Sequence, residues 1–191
     1  MRKDLILVNK DHKVDPIYFD KIKLVPINNV ANESVLLEEE TANAYQSLKK
    51  VLLEENIELA IDSAYRSLER QQQIYDEFKE KYGVDYANTV VAPVGTSEHH
   101  TGLAIDFGIK IGDQFELENK DIFRHIKIYQ AVVPYLANFG FILRYPEGKE
   151  QITGYPYEPW HIRYVGKQAA KEIESNDWVL EEYVSSKIKV K

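Results

Sequence analysis

Apolar and polar positions alternate along this chain with two periods, one near 3.6 residues and one of two, and these predict most of its elements. Between 33 and 55, Thr41, Tyr45, Leu48 and Leu52 recur at helical spacing, so the whole stretch is expected to be one helix. Leu59 to Asp62 is a short strand candidate. Ser67 offers an N-cap to a helix running through Tyr82, with Leu68, Gln71, Ile74 or Tyr75, Phe78 and Tyr82 on one face and Gly83 as its stop. The stretch from Thr89 to Thr96, with Pro93 and Gly95, reads as loop. From Leu103 to Ile109 the pattern becomes strictly alternating: Leu103, Ile105, Phe107 and Ile109 share one face, and Ala104, Asp106 and Gly108 the other. Residues 120–139 return to helical spacing, with Pro134 expected to kink or interrupt them. Strands are expected from Phe141 to Tyr145 and from His161 to Val165, and helix again from Lys167 onward. The prediction is an α+β fold, a mainly antiparallel sheet flanked by helices.

The alternating strand carries the first sign of chemistry. Asp106 projects away from the apolar face, and Gly102 permits a sharp bend that folds a preceding histidine back beside it. Pattern and turn chemistry leave open whether that histidine is His99 or His100. A second segment, Glu158-Pro159-Trp160-His161, adds an imidazole and a carboxylate. A hydrolytic zinc takes three protein ligands of the His and carboxylate type and keeps a fourth position for water. His99, Asp106 and His161 would supply such a set, and Glu158 lies close enough in sequence to take a proton from the water without being a ligand. Of the other three histidines, His12 and His125 have no such company and are expected on the surface or a helix face.

These segments resemble a known family. Ser97-x-His99-x-x-Gly102-x-Ala104-x-Asp106 and Glu158-x-x-His161 are similar to the two signature motifs of the zinc D,D-peptidases of the VanX/VanY type, peptidase family M15. The resemblance assigns His99, Asp106 and His161 to one catalytic zinc ion and Glu158 to the general base, and leaves His100 free at the entrance. Ser63-Ala64-Tyr65-Arg66-Ser67, with Gln71 downstream, is similar to a third family segment whose arginine sits over the metal, although Ala64 stands where a glycine is usual. Arg66 is therefore expected to stabilise the developing oxyanion, a task suited to a permanently charged fork of donors. Ser97 and Gln71 are candidates for holding a substrate carboxylate. The likeness extends through Gly140–Pro146 and Tyr157–Gly166 and implies a hedgehog-like or D,D-peptidase-like zinc fold. It points most closely to the VanXY branch, which implies hydrolysis of D-Ala-D-Ala dipeptide or of the C-terminal D-Ala of peptidoglycan precursor peptides, as in glycopeptide resistance. Two alternatives follow from the same resemblance: an exported VanY-like D,D- or L,D-carboxypeptidase, and a hedgehog-like zinc-binding module without turnover.

Length and charge narrow the field. The 191 residues fit one catalytic domain spanning 1–191, with no repeat or compositional shift. A net charge of −7 and a pI near 5.3 argue against nucleic acid or an anionic membrane as partner. The run Glu38-Glu39-Glu40 is expected to be a solvated helix face, and most of the 13 tyrosines ordinary half-buried residues. There are no cysteines, which excludes disulfides and thiolate ligands. After Met1 the apolar run Leu5 to Val8 is too short for a signal peptide or membrane span, so the expected location is the cytoplasm.

Overall fold

A computed structural model describes residues 2–188. Met1 and the last three residues of the expected C-terminal helix lie outside the described residues. In chain order the elements are β1 (Leu24–Asn28), β2 (Ser34–Glu38), α1 (Glu39–Glu54), β3 (Leu59–Ser63), α2 (Leu68–Tyr82), α3 (Val84–Val90), β4 (Ala104–Ile111), β5 (Gln114–Glu116), α4 (Asn119–Arg124), α5 (Ile126–Leu136), β6 (Phe141–Leu143), α6 (Glu150–Thr153), β7 (His161–Tyr164), α7 (Lys167–Ser175) and α8 (Leu180–Ile188). Single 3-10 segments lie at Lys3–Leu5, Pro16–Lys21, Glu98–Thr101 and Ala137–Phe139.

The α+β expectation holds. β3, β4, β7 and β6 form an antiparallel sheet in that order, with β5 added to β4, while β1 and β2 make a separate hairpin. The alternation along β4 works as predicted on one face: Ile105, Phe107 and Ile109 enter the main core with Tyr45, Leu48 and Leu52 of α1 and Tyr129, Val132 and Leu136 of α5. Leu103 packs instead into a second cluster with Val8, Val14 and Tyr18. A third cluster joins Ile142 and Val165 to α7 and α8.

Four expectations are corrected. The stretch 33–55 is a strand followed by a helix, because residues 34–38 pair with β1 and Glu38 caps α1, its carboxylate accepting from the N–H groups of Glu40 and Thr41. Glu38 is thus fully buried, with Lys3 Nζ at 2.7 Å, and only its two neighbours belong to a solvated face. The break within 120–139 falls at His125, whose N–H bonds back to the carbonyls of Asp121 and Ile122, whereas Pro134 lies inside α5 near its C-terminal end. The loop expected from Thr89 begins later, since α3 runs to Val90.

A buried charge cluster ties the ends of the chain to the sheet. Glu98, Arg144 and Arg163 are all without solvent exposure, and Glu98 Oε1 accepts from Arg144 Nε at 2.8 Å and Arg163 Nη1 at 2.6 Å. Arg144 also forks onto Glu181 of α8 at 2.9 and 2.6 Å, and Arg163 Nη2 donates to the carbonyls of Asp4 and Ile6. Such a cluster persists because each charge is compensated, and removing one partner strands the others in a low-dielectric interior.

Gly102 turns the chain from the 3-10 segment into β4. Its φ of 69° is left-handed, and an added Cβ would lie 2.9 Å from both the Glu38 amide nitrogen and Leu24 Cδ2. Gly102→Ala is therefore expected to lower stability by about 1–3 kcal/mol, measured by denaturant unfolding, with a midpoint equal to wild type counting against this account.

Candidate active site

Sheet register builds the centre. Asp106 of β4 stands directly opposite His161 of β7, and on its other side it pairs with Ser63, where a bulge in β3 displaces Asp62. The 3-10 segment Glu98–Thr101, begun by Ser97 accepting from the His99 N–H, brings His99 back over the same point. One ligand atom from each of His99, Asp106 and His161 lies within 4.8 Å of the others. His99 Nε2 is 3.1 Å from Asp106 Oδ2, and His161 Nδ1 is 2.9 Å from Asp106 Oδ1.

The donor chemistry fits a cation. Asp106 Oδ1 is buried and makes no hydrogen bond, despite the nitrogen 2.9 Å away. Orphaned buried polar atoms are costly unless something else satisfies them. His99 Nδ1 pairs with the Ala64 carbonyl at 2.8 Å, which leaves Nε2 for a metal. Burial holds the His99 imidazole below its ordinary value against the pull of Asp106. Burial also opposes protonation of His161, but Asp106, Glu98 and Glu158 outweigh it and push that ring up to about 10. Asp106 is held well below the usual carboxylate range by the two imidazoles, even though burial works against it. The carboxylate thus favours positive charge on the groups around it, and a bound divalent ion would supply it.

Glu158 approaches from the loop before β7, its Oε2 3.7 Å from His161 Nδ1. Burial pushes it up to about 7, with Asp106 and Glu98 adding to burial and His161 and Arg144 opposing it. A carboxyl poised there can both take and give a proton at neutral pH. Arg66 sits at the end of β3 with Nη1 donating to Gln71 Oε1 at 2.9 Å and Nη2 donating to Ser63 Oγ at 3.0 Å. Burial lowers its pKa, but a guanidinium stays charged throughout.

Seven sequence candidates, His99, Asp106, His161, Glu158, Arg66, Ser97 and Gln71, line one cleft of about 810 Å³. Gln71 is almost fully buried, with Oε1 taken by Arg66 and Nε2 by the Ala92 carbonyl at 2.7 Å, so its amide braces the guanidinium. His100, expected at the entrance, is wholly buried. Its Nε2 accepts from the Gly95 N–H at 3.1 Å and its Nδ1 donates to the Arg66 carbonyl at 2.7 Å. Arg66 and the loop before Ser97 are thus joined twice, through Gln71 and through His100. Sequence reasoning passed over several lining residues. The Tyr145 ring lies 4.8 Å from that of His161, Tyr155 lies 4.7 Å from Tyr145, and Phe123 meets Tyr157 and Trp160 edge-on at the far end. Only the spacing of Tyr145, Tyr155 and Tyr157 around the Glu158 segment hinted at them.

A helix-flanked antiparallel sheet that presents two histidines, an aspartate and a nearby glutamate in one cleft has the makings of a metallohydrolase. The family model described as VanY, D-alanyl-D-alanine carboxypeptidase, matches residues 34–167, and the chain belongs to that family. It is 39% identical over 183 residues to YodJ of Bacillus subtilis (strain 168), which carries a provisional carboxypeptidase name; the match covers 94% of this chain and 66% of YodJ, just under two thirds. It is 36% identical over 188 residues to VanXYC of Enterococcus gallinarum, a bifunctional D-Ala-D-Ala dipeptidase and carboxypeptidase, covering 94% and 92%. Among solved structures, the LdcB LD-carboxypeptidase superposes with a TM-score of 0.81 at 37% identity, covering 96% of this chain and 86% of LdcB. A point mutant of the D,D-pentapeptidase VanY from a VanB-type resistance cassette, in complex with Zn(II), gives 0.77 at 30%, covering 96% and 99%.

Two variants test the arrangement. Elemental analysis is expected to find stoichiometric metal in wild type and none in His161→Ala, and retained metal in the variant would break the ligand assignment. His100→Ala should keep its metal while kcat/KM falls by about 10- to 100-fold, because the arginine carrier loses one of its two braces.

Proposed function

We propose that this chain is a zinc-dependent D,D-peptidase that hydrolyses D-Ala-D-Ala and removes the terminal D-Ala of peptidoglycan precursor peptides. One observation carries the reading: a His, Asp and His cluster, a glutamate with a pKa near 7 and a braced arginine share a single cleft. The bifunctional VanXYC, matched over nearly all of both chains, supports both substrates, and the Zn(II) complex of VanY supports zinc as the ion.

Zinc, when bound, polarises the scissile carbonyl and makes its water acidic. The protein's own groups do the rest. Glu158 accepts the proton of the attacking water and returns it to the leaving amine, a double duty that suits a carboxyl near neutrality. Arg66, fixed by Ser63 and Gln71, offers its guanidinium to the developing oxyanion with little reorganisation. Ser97, which lines the cleft next to the ligand turn, would hold the substrate's terminal carboxylate. The aromatic end of the cleft, Phe123, Tyr157 and Trp160, gives an upstream peptide an apolar wall. A second reading, L,D-carboxypeptidase activity, is supported by the similarity to LdcB.

Glu158→Gln should retain zinc and lose about 10²- to 10⁴-fold in kcat, and undiminished turnover would remove it from the proton-transfer role. Mass-spectrometric assay of the zinc-loaded chain on D-Ala-D-Ala, a pentapeptide ending in D-Ala-D-Ala and the corresponding tetrapeptide is expected to show cleavage of the first two. Cleavage of the tetrapeptide alone would establish the L,D reading, and inertness toward all three with zinc bound would indicate a binding module.

A further inference from the structure

The metal-centre reading leaves a buried carboxylate beside the ligands unused. Glu98 immediately precedes the ligand His99, yet its side chain is directed at the other histidine. Oε1 is saturated by Arg144 and Arg163. Among the described residues, Oε2 is buried and has no hydrogen-bond partner. His161 Nε2 is likewise buried and without a partner among them, and the two atoms lie 3.6 Å apart. A donor and an acceptor, each orphaned, thus stand within a few tenths of an ångström of closing a bond.

We propose that Glu98 is a positioning residue of the metal centre: its Oε2 accepts the Nε2 proton of His161 and so commits Nδ1 of that ring to the ion. The inference rests on the metal-centre reading above. An imidazole ligates as the neutral ring, so if Nδ1 faces Asp106 and the metal, the proton resides on Nε2 and needs an acceptor. Glu98 Oε2 is the partner in place. The Tyr145 ring packs against the imidazole at 4.8 Å, which limits its tilt. The two ligand histidines are then held differently. His99 presents Nε2 and is fixed from behind by a neutral carbonyl, Ala64. His161 presents Nδ1 and is fixed by an ionised carboxylate, which raises the basicity of the ligating nitrogen. The two arginines keep that carboxylate from swinging toward the metal, since its departure would leave Arg163 without a carboxylate and Arg144 with Glu181 alone. Glu98 therefore works from behind the ring as a stationary hydrogen-bond acceptor.

The test uses the full chain and zinc itself. Zinc affinity, measured by competition with a chromophoric chelator, should fall about 10- to 100-fold in Glu98→Gln, whose amide can turn an N–H toward His161. A folded Glu98→Gln variant that binds zinc as tightly as wild type would overturn the proposal. Because the variant takes a carboxylate from two buried arginines and can fail to fold, the deciding measurement is made on wild type: long-range ¹H–¹⁵N correlation of the zinc-loaded protein. Expected are a protonated Nε2 and a metal-bound Nδ1 for His161, its Nε2 proton shifted downfield relative to the His99 Nδ1 proton. A purely structural role for Glu98 would leave those two protons alike, and a His161 protonated on Nδ1 would refute the inference outright. Wild type that binds no zinc would instead overturn the metal-centre reading on which the proposal stands.

Discussion

One backbone register governs this molecule: Asp106 faces His161 across the antiparallel pair β4 and β7. A slip of either strand by a single residue would turn its ligand to the opposite face of the sheet and put a core residue in its place. The apolar residues that alternate with Asp106 fix that register, since Ile105 and Phe107 are buried in the main core and have no other place to go. The centre is thus a by-product of hydrophobic packing on the reverse side of the same strand. Its precision comes from residues selected for burial, and its chemistry from the few that remain.

Around that register the site is assembled from braces more than from reacting groups. His99 leans on Ala64, Arg66 on Ser63 and Gln71, Gln71 on Ala92, and His100 on both Arg66 and Gly95. Few of these side chains can move alone. A catalyst that relies on preorganised dipoles and charges gains from such a lattice, because the reaction then requires little rearrangement at the moment charge develops.

The elements with clear periods were legible in the sequence: the helix after Ser67 and the strand around Asp106 lie close to their predicted places. So was the class of the fold. What resisted reading was charge that folds inward. Glu38, Glu98, Arg144 and Arg163 look like surface residues until their partners are known, and those partners lie 35 to 159 residues away. Local pattern carries no information about pairings at that distance. The same limit explains His100, whose polar neighbours come from two separate loops. It also explains the stretch before Glu39, where pairing with β1 overrides a helical spacing that continues through it.

The fork of Arg144 onto Glu181 has an implication for biosynthesis. Glu181 follows every other partner in the chain, and Asp4 and Ile6, which cradle Arg163, precede them all. A nascent chain halted short of α8 would hold an interior guanidinium with half its compensation missing. Compensation of Arg144 is therefore completed only once α8 has been made and docked against the sheet.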